Sequence, residues 1–272
     1  KALQYYEQAG DEEADGMILE CLYFLKKYTS LNKIIESLKN KNPTNIHVAA
    51  ISSFVSFQRE QKDNYTFCPQ PMDYVTYSNI KKYHKNYKKF LSSLLNEMNA
   101  KNSAWEPSHN TTQNGFQTSG NLFSIKTKNI AFIEEILMTE LSLIYEKNKD
   151  LTHQIFKSWP KTMNLQGWYV RLLQDGHQLG HIHTSGWFSG VIYLQTVVNP
   201  IKNEGAIEFS SHGYGYPKIT DKYPRKVFQP DDGDIVLFPS SLFHRTIPVR
   251  QPVERCVIAF DLVKDNSVSE LS

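Results

Sequence analysis

Cysteine is scarce: Cys21, Cys68 and Cys256 are the only three in 272 residues. An odd, widely spaced set fits neither a disulfide framework nor a cysteine-based zinc site, and it suggests a reducing, cytoplasmic compartment. Net charge is scarce too. With 30 Lys and Arg against 28 Asp and Glu the chain carries +2, which implies neither nucleic acid nor an anionic membrane as partner. The one locally basic stretch, Lys81 to Lys89, reads as the solvated face of a helix. No apolar run is long enough for a membrane-spanning helix, and the opening residues Lys1 to Gly10 form an amphipathic pattern, not a signal peptide. Starting inside that pattern without methionine, the chain is expected to be part of a longer one. A hydrophobic content of 40%, with 12% aromatic, argues for a folded protein with one large core or two smaller ones.

From Lys1 to about Gln61 apolar residues recur at three- and four-residue spacing, as in Met17, Ile18, Cys21, Leu22 and Leu25 or Val48, Ile51, Phe54 and Val55. This predicts short helices paired by turns at Ala9-Gly10-Asp11, Tyr28-Thr29-Ser30 and Lys41-Asn42-Pro43-Thr44. The spacing resembles the last units of a tetratricopeptide-type solenoid, although no unit keeps the full signature. Pro69 and Pro71 mark a linker, and further amphipathic helices are expected over about Asn79 to Met98 and Ile130 to Lys147. From Gly167 the period changes to two. Trp168–Leu173, Ser189–Thr196, Gly205–Phe209, Asp234–Phe238, His244–Val249 and Arg255–Asp261 read as short strands. The expected fold is α+β: a helical-repeat-like segment over 1–75, then a double-stranded β-helix (jelly roll) with supporting helices over 76–272, its core at about 119–262.

His181 and His183 lie one residue apart ahead of the run Ser189 to Leu194, and in extended backbone residues i and i+2 share a face. Two imidazoles placed so can converge on one ion. His244 stands at the end of a later β-rich run, with Arg255 eleven residues beyond it. A mononuclear non-haem iron site needs three protein ligands on one face and open positions opposite. An arginine on a neighbouring strand can hold the far carboxylate of a 2-oxo diacid through a bidentate, permanently charged contact.

Gly180-His-Ile-His-Thr-Ser-Gly-Trp-Phe-Ser-Gly-Val-Ile-Tyr-Leu194, Gly233-Asp-Ile-Val-Leu-Phe-Pro239, His244-Arg-Thr-Ile-Pro-Val249 and Glu254-Arg255 resemble the 2-oxoglutarate and iron(II)-dependent oxygenases over roughly Ser119 to Leu262. The resemblance is strongest to a bacterial branch with His-x-His as its first motif, often fused behind tetratricopeptide repeats. It implies a double-stranded β-helix, Fe(II), and 2-oxoglutarate and O2 as co-substrates, with succinate and carbon dioxide released and hydroxylation as the usual result. By this resemblance His181 and His244 match iron ligands, and Arg255 matches the residue on the 2-oxoglutarate C5 carboxylate. His183 departs from the wider superfamily, which has Asp or Glu there. Three arrangements stay open: a three-histidine iron site, His183 outside the coordination sphere with a water or halide in the gap, or a carboxylate such as Asp175 or Glu208 brought in. Val257 replaces a frequent serine, so the missing hydroxyl contact falls to another residue, with Tyr169 a candidate and Arg171 a possible contact to oxo-acid or substrate.

Trp187 and Phe188 are candidates for the substrate mouth or for packing between sheets, and Tyr214 and Tyr216 for a lid in a glycine-flexed loop. The substrate, a peptide or protein or a small molecule, is not specified, nor is the oligomeric state. Two rival readings remain. One is a cupin-like metal-binding protein without 2-oxoglutarate turnover, although the cupin glutamate is missing from Thr184 to Phe188. The other is a helical-repeat adaptor with a degenerate oxygenase domain.

Overall fold

The computed structural model describes residues 1–9, 12–213, 215–217, 219–220 and 222–265. The helical periodicity at the start yields α1 (Ala2–Ala9), α2 (Glu12–Phe24), α3 (Tyr28–Lys41) and α4 (Ile46–Gln58). Asn45 caps α4 by accepting a hydrogen bond from the Val48 N–H, as the turn chemistry predicts. Beyond the proline linker the chain forms β1 (Thr76–Asn79), α5 (Tyr87–Asn99), β2 (Ser103–Trp105) and β3 (Thr112–Thr118). The helix expected from Asn79 therefore begins eight residues later, and the polar stretch before Ser119 carries strands. The helix expected over Ile130 to Lys147 is α6 (Lys128–Asn148), followed by the short α7 (Gln154–Lys157).

The remaining strands are β4 (Met163–Gln178), β5 (Phe188–Gln195), β6 (Ile207–Ser210), β7 (Arg225–Phe228), β8 (Asp234–Pro239), β9 (Phe243–Thr246) and β10 (Arg255–Lys264). Among the described residues they make two antiparallel sheets, a seven-stranded one in the order β1-β8-β5-β10-β4-β3-β2 and a three-stranded one in the order β7-β6-β9.

Alternation along the strands sets what each sheet face meets. On the large sheet Val170, Leu172, Val191, Tyr193, Val236, Phe238 and Val257 share a core with Ile207 and Phe209 of the small sheet. The opposite face presents Tyr169, Ile192, Ile235, Leu237, Ile258 and Phe260 to the helices. That second core is continuous. It includes Leu19, Leu22, Ala49, Ile51 and Phe54 from α2 and α4 as well as Leu94, Ile133 and Leu137 from α5 and α6. Among the described residues no helix is long and apolar enough to cross a membrane.

Candidate metal centre and oxo-acid cavity

His181 follows β4 in extended backbone and forms a two-residue antiparallel bridge with His244 of β9. The His181 N–H donates to the His244 carbonyl at 3.0 Å, and the His244 N–H returns a bond at 3.1 Å. The His183 N–H donates to the Ser240 carbonyl at 3.1 Å, and the chain turns directly after it, with the Gly186 N–H on the His183 carbonyl at 3.2 Å. The i, i+2 rule therefore operates here, on a segment that pairs across the sheets. One candidate ligand atom from each of His181, His183 and His244 lies within 4.8 Å of the other two.

The outer nitrogen of every ring faces an acceptor. His181 Nδ1 lies 2.7 Å from the Leu179 carbonyl, His244 Nδ1 3.0 Å from the Leu242 carbonyl, and His183 Nδ1 2.6 Å from Asp261 Oδ1. Each contact favours the tautomer with the proton on Nδ1, which leaves the Nε2 lone pairs facing inward. His181 and His183 bring their Nε2 atoms to 3.0 Å. Two lone pairs at that distance repel unless a cation or proton lies between them. Burial and the neighbouring His183 bring His181 down to about 4, and burial holds His244 well below the usual imidazole range, which disfavours protonation of those two rings. Three imidazole nitrogens on one side suit a divalent transition metal such as Fe(II).

The same enclosed cavity is lined by His181, His183, His244, Trp168, Gln178 and Arg255. Arg255, the first residue of β10, is fully buried. Its Nε donates to the Gly205 carbonyl at 2.8 Å and its guanidinium stands 5.0 Å over the Tyr193 ring, yet Nη1 has no hydrogen-bond partner. The Tyr193 hydroxyl is likewise buried and unpartnered. Tyr193 pairs with Val257 across the β5–β10 ladder, so its hydroxyl stands beside the strand where the serine is missing. A buried cation without an anion is costly. A carboxylate reaching Nη1 and the Tyr193 hydroxyl would satisfy both groups, and three imidazoles with a guanidinium are the donor chemistry that a metal-chelated 2-oxo diacid requires.

Other sequence candidates lie elsewhere. Tyr169 is on the helix-facing side of β4, where its hydroxyl donates to Asn99 Oδ1 at 2.6 Å, and one residue of parity separates it from the cavity-lining Trp168. Arg171 shares the parity of Tyr169; it lies 3.6 Å from Glu254 and 4.6 Å over the Phe116 ring. Asp175 bonds Arg250 and Glu208 bonds Arg245, so neither carboxylate is brought to the imidazoles. Trp187 and Phe188 pack in the helix-facing core, with the Trp187 indole N–H on the Ile155 carbonyl at 2.8 Å. Tyr216 donates to Glu20 and stacks on Phe54 at 4.7 Å, tying its loop to the helices; Tyr214 lies outside the described residues.

Asp261 is the neighbour that the sequence reading misses. It is buried, and besides His183 it accepts from the Ser189 hydroxyl at 2.6 Å. The signal was present: Arg255, Val257, Ala259 and Asp261 share one face of β10 by the period-two rule.

Residues 166–261 match the family model described as "Putative 2OG-Fe(II) oxygenase". No curated protein matches the chain. Among solved structures, a prolyl hydroxylase from Trichoplax adhaerens, in complex with a hypoxia inducible factor oxygen degradation domain peptide fragment, shares 12% identity at a TM-score of 0.50, covering 79% of this chain and 89% of that one. A Pseudomonas putida prolyl-4-hydroxylase shares 13% identity at a TM-score of 0.48 over 71% of this chain and 93% of that one. HygX from Streptomyces hygroscopicus, with nickel and 2-oxoglutarate bound, shares 12% identity at a TM-score of 0.49 over 71% and 83%. Residues 166–261 thus carry the sequence pattern of a 2OG-Fe(II) oxygenase, an oxidoreductase class whose cofactor set is Fe(II), 2-oxoglutarate and O2, on a fold of mixed helix and antiparallel sheet shared with such enzymes.

Proposed function

We propose that the protein is an Fe(II)- and 2-oxoglutarate-dependent dioxygenase built on a jelly roll and acting as a hydroxylase. One observation carries the reading: a single buried cavity has three inward-facing imidazoles among its walls and, in another, an unpaired guanidinium. A cupin-like metal protein has no need of that buried cation, and an adaptor has no need of either group.

His181, His183 and His244 would hold the iron through Nε2, and Arg255 with Tyr193 would hold the distal carboxylate of 2-oxoglutarate. When bound, iron, 2-oxoglutarate and dioxygen supply the oxidation: one oxygen atom goes to the substrate as a hydroxyl and the other to succinate, with carbon dioxide released. The chain positions and shields. Arg255 is anchored through Nε to Gly205, so its remaining N–H groups present a fixed fork. Trp168 stacks on His183 at 5.7 Å and forms part of the cavity wall, which keeps bulk water from the reacting atoms.

Substrate would enter by a polar cleft of about 290 Å³ lined by His109, Asn110, Gln117, Gln178, Thr184 and Ser185. Thr184 and Ser185 also line a groove of about 400 Å³ that reaches Met17 of α2, Asn42 and His47 of α4. An opening continued in this way favours an extended segment such as a peptide over a compact small molecule. The helical segment 1–75, with its tetratricopeptide-like spacing, would then form the outer wall of a site centred in the oxygenase domain 76–272. Cys21, Cys68 and Cys256 are free, in keeping with a cytoplasmic protein.

Turnover tests this reading. With iron(II), ascorbate and 2-oxoglutarate, succinate should form, and Arg255→Ala should abolish it or raise the KM for 2-oxoglutarate at least 100-fold. A protein that binds metal and has no affinity for 2-oxoglutarate would exclude the oxygenase.

A further inference from the structure

An iron(II) ion held by three neutral imidazoles keeps its full charge of two, whereas the two-histidine, one-carboxylate arrangement leaves one. From the geometry around His183 we infer that Asp261 is a positioning residue that supplies the missing negative charge through that imidazole. This rests on the metal-binding half of the reading above and is independent of which substrate is oxidised.

The geometry closes a ring of hydrogen bonds about one ligand. Asp261 Oδ1 accepts from His183 Nδ1 at 2.6 Å and from the Ser189 hydroxyl at 2.6 Å. Ser189 Oγ is 2.7 Å from Ser240 Oγ, and the Ser240 carbonyl takes the His183 N–H at 3.1 Å. The ring and the backbone of His183 are thereby fixed by the same two strands and the turn after β8. His181 and His244 differ, since their Nδ1–H groups reach only main-chain carbonyls. A carboxylate on Nδ1–H makes Nε2 a stronger donor than a carbonyl does, because negative charge is transmitted through the ring. Among the described residues, Asp261 is the one carboxylate lining either cavity that the imidazoles border. The anion has moved one residue outward from the ligand position, and β10 carries it on the same face as Arg255.

Cobalt(II) binding to the metal-free full chain, followed by its visible ligand-field bands, tests the inference without turnover. Asp261→Asn should weaken Co(II) binding about 10- to 100-fold, the range found when an outer partner of a ligating histidine is lost. Asp261→Glu should recover part of that loss. His183→Ala combined with Asp261→Asn should bind no more weakly than His183→Ala alone, since Asp261 acts through that ring. Wild-type affinity in Asp261→Asn would overturn the proposal. So would additive losses in the double variant, or full affinity in His183→Ala with none in Asp261→Ala, which would make Asp261 itself the ligand. Should Asp261→Asn fail to fold, Ser189→Ala keeps the carboxylate and removes one donor; a smaller weakening is expected, and an unchanged affinity would count against the inference. A wild-type chain that binds no Co(II) would defeat the metal reading itself, a result distinct from a variant without effect.

Discussion

Arg255 and Tyr193 each lack a hydrogen bond that the carboxylate of the proposed oxo-acid would supply. Both end in polar atoms that are buried and unpartnered, although a buried group normally finds a hydrogen bond. The Tyr193 hydroxyl is expected to bond the oxo-acid carboxylate, so Tyr193→Phe should raise the KM for 2-oxoglutarate roughly 10- to 100-fold, from about 1.5–3 kcal/mol for a hydrogen bond to a charged group. With the metal ligands untouched, kcat should change little; a KM equal to wild type would rule out a bond from Tyr193 to the oxo-acid. His181, His244 and Arg255 are legible in the sequence because histidine and arginine are conspicuous among β-branched residues. Asp261 and Tyr193 are hidden by the reverse effect: each alternates with Ile, Val, Leu or Phe and looks like part of a core strand. Tyr169 and Tyr193 are the same residue type on strands that flank β10 in the large sheet, and only their parity relative to the sheet face decides which one lies under the Arg255 guanidinium.

At the scale of elements, β4, β5, β6, β8, β9 and β10 each overlap a run with the period of a strand, and α2, α3, α4 and α6 follow their apolar stripes. The strands β2 and β3 were not legible because Ser103–Trp105 and Thr112–Thr118 are mostly polar; they are strands by virtue of pairing out from β4. The segment after α4 is also decided by tertiary contacts. Asp63 accepts from the Ser52 hydroxyl of α4 at 2.6 Å and from the Tyr65 N–H at 3.0 Å, while its second oxygen is buried without a partner. Burial outweighs those two bonds and raises its carboxyl to about 6 from 3.8. A raised acid binds its proton more tightly when folded, so its stabilisation is complete below about pH 4 and is lost as pH rises through about 6. The loss amounts to roughly 3 kcal/mol at 1.36 kcal/mol per unit. Asp63→Asn keeps the accepting oxygen and cannot ionise. It should be more stable than wild type at pH 8 and lose the part of the slope between pH 4 and 6 that Asp63 causes; parallel urea-unfolding curves across that range would refute the assignment.

At the scale of the molecule, the helices share a core with one face of the large sheet, and Phe54 of α4 is where they meet the connection between β6 and β7. Its ring stacks on Tyr216 at 4.7 Å and on Tyr223 at 5.9 Å, both from the connection between β6 and β7, and meets Tyr23 of α2 edge-on at 5.2 Å. The Tyr23 hydroxyl and the Gln58 amide both donate to the Pro217 carbonyl, and Tyr216 donates to Glu20. Tyr216 in turn packs edge-on against Phe243, the residue before His244. A change of sequence period at Gly167 marks where strands begin to dominate, and the apolar residues of the helices lie in one cluster with the helix-facing side of the large sheet. Removing the Phe54 side chain should therefore destabilise the whole fold. Phe54→Ala is expected to cost about 3–5 kcal/mol, the range for emptying a buried aromatic site. The far-ultraviolet helix signal and the fluorescence of Trp168 and Trp187 should shift together to the same lower midpoint. If the helical signal moved alone while the tryptophans kept their wild-type midpoint, the helices would be a separate unit, and their part in the groove at Thr184 and Ser185 would be a contact between domains.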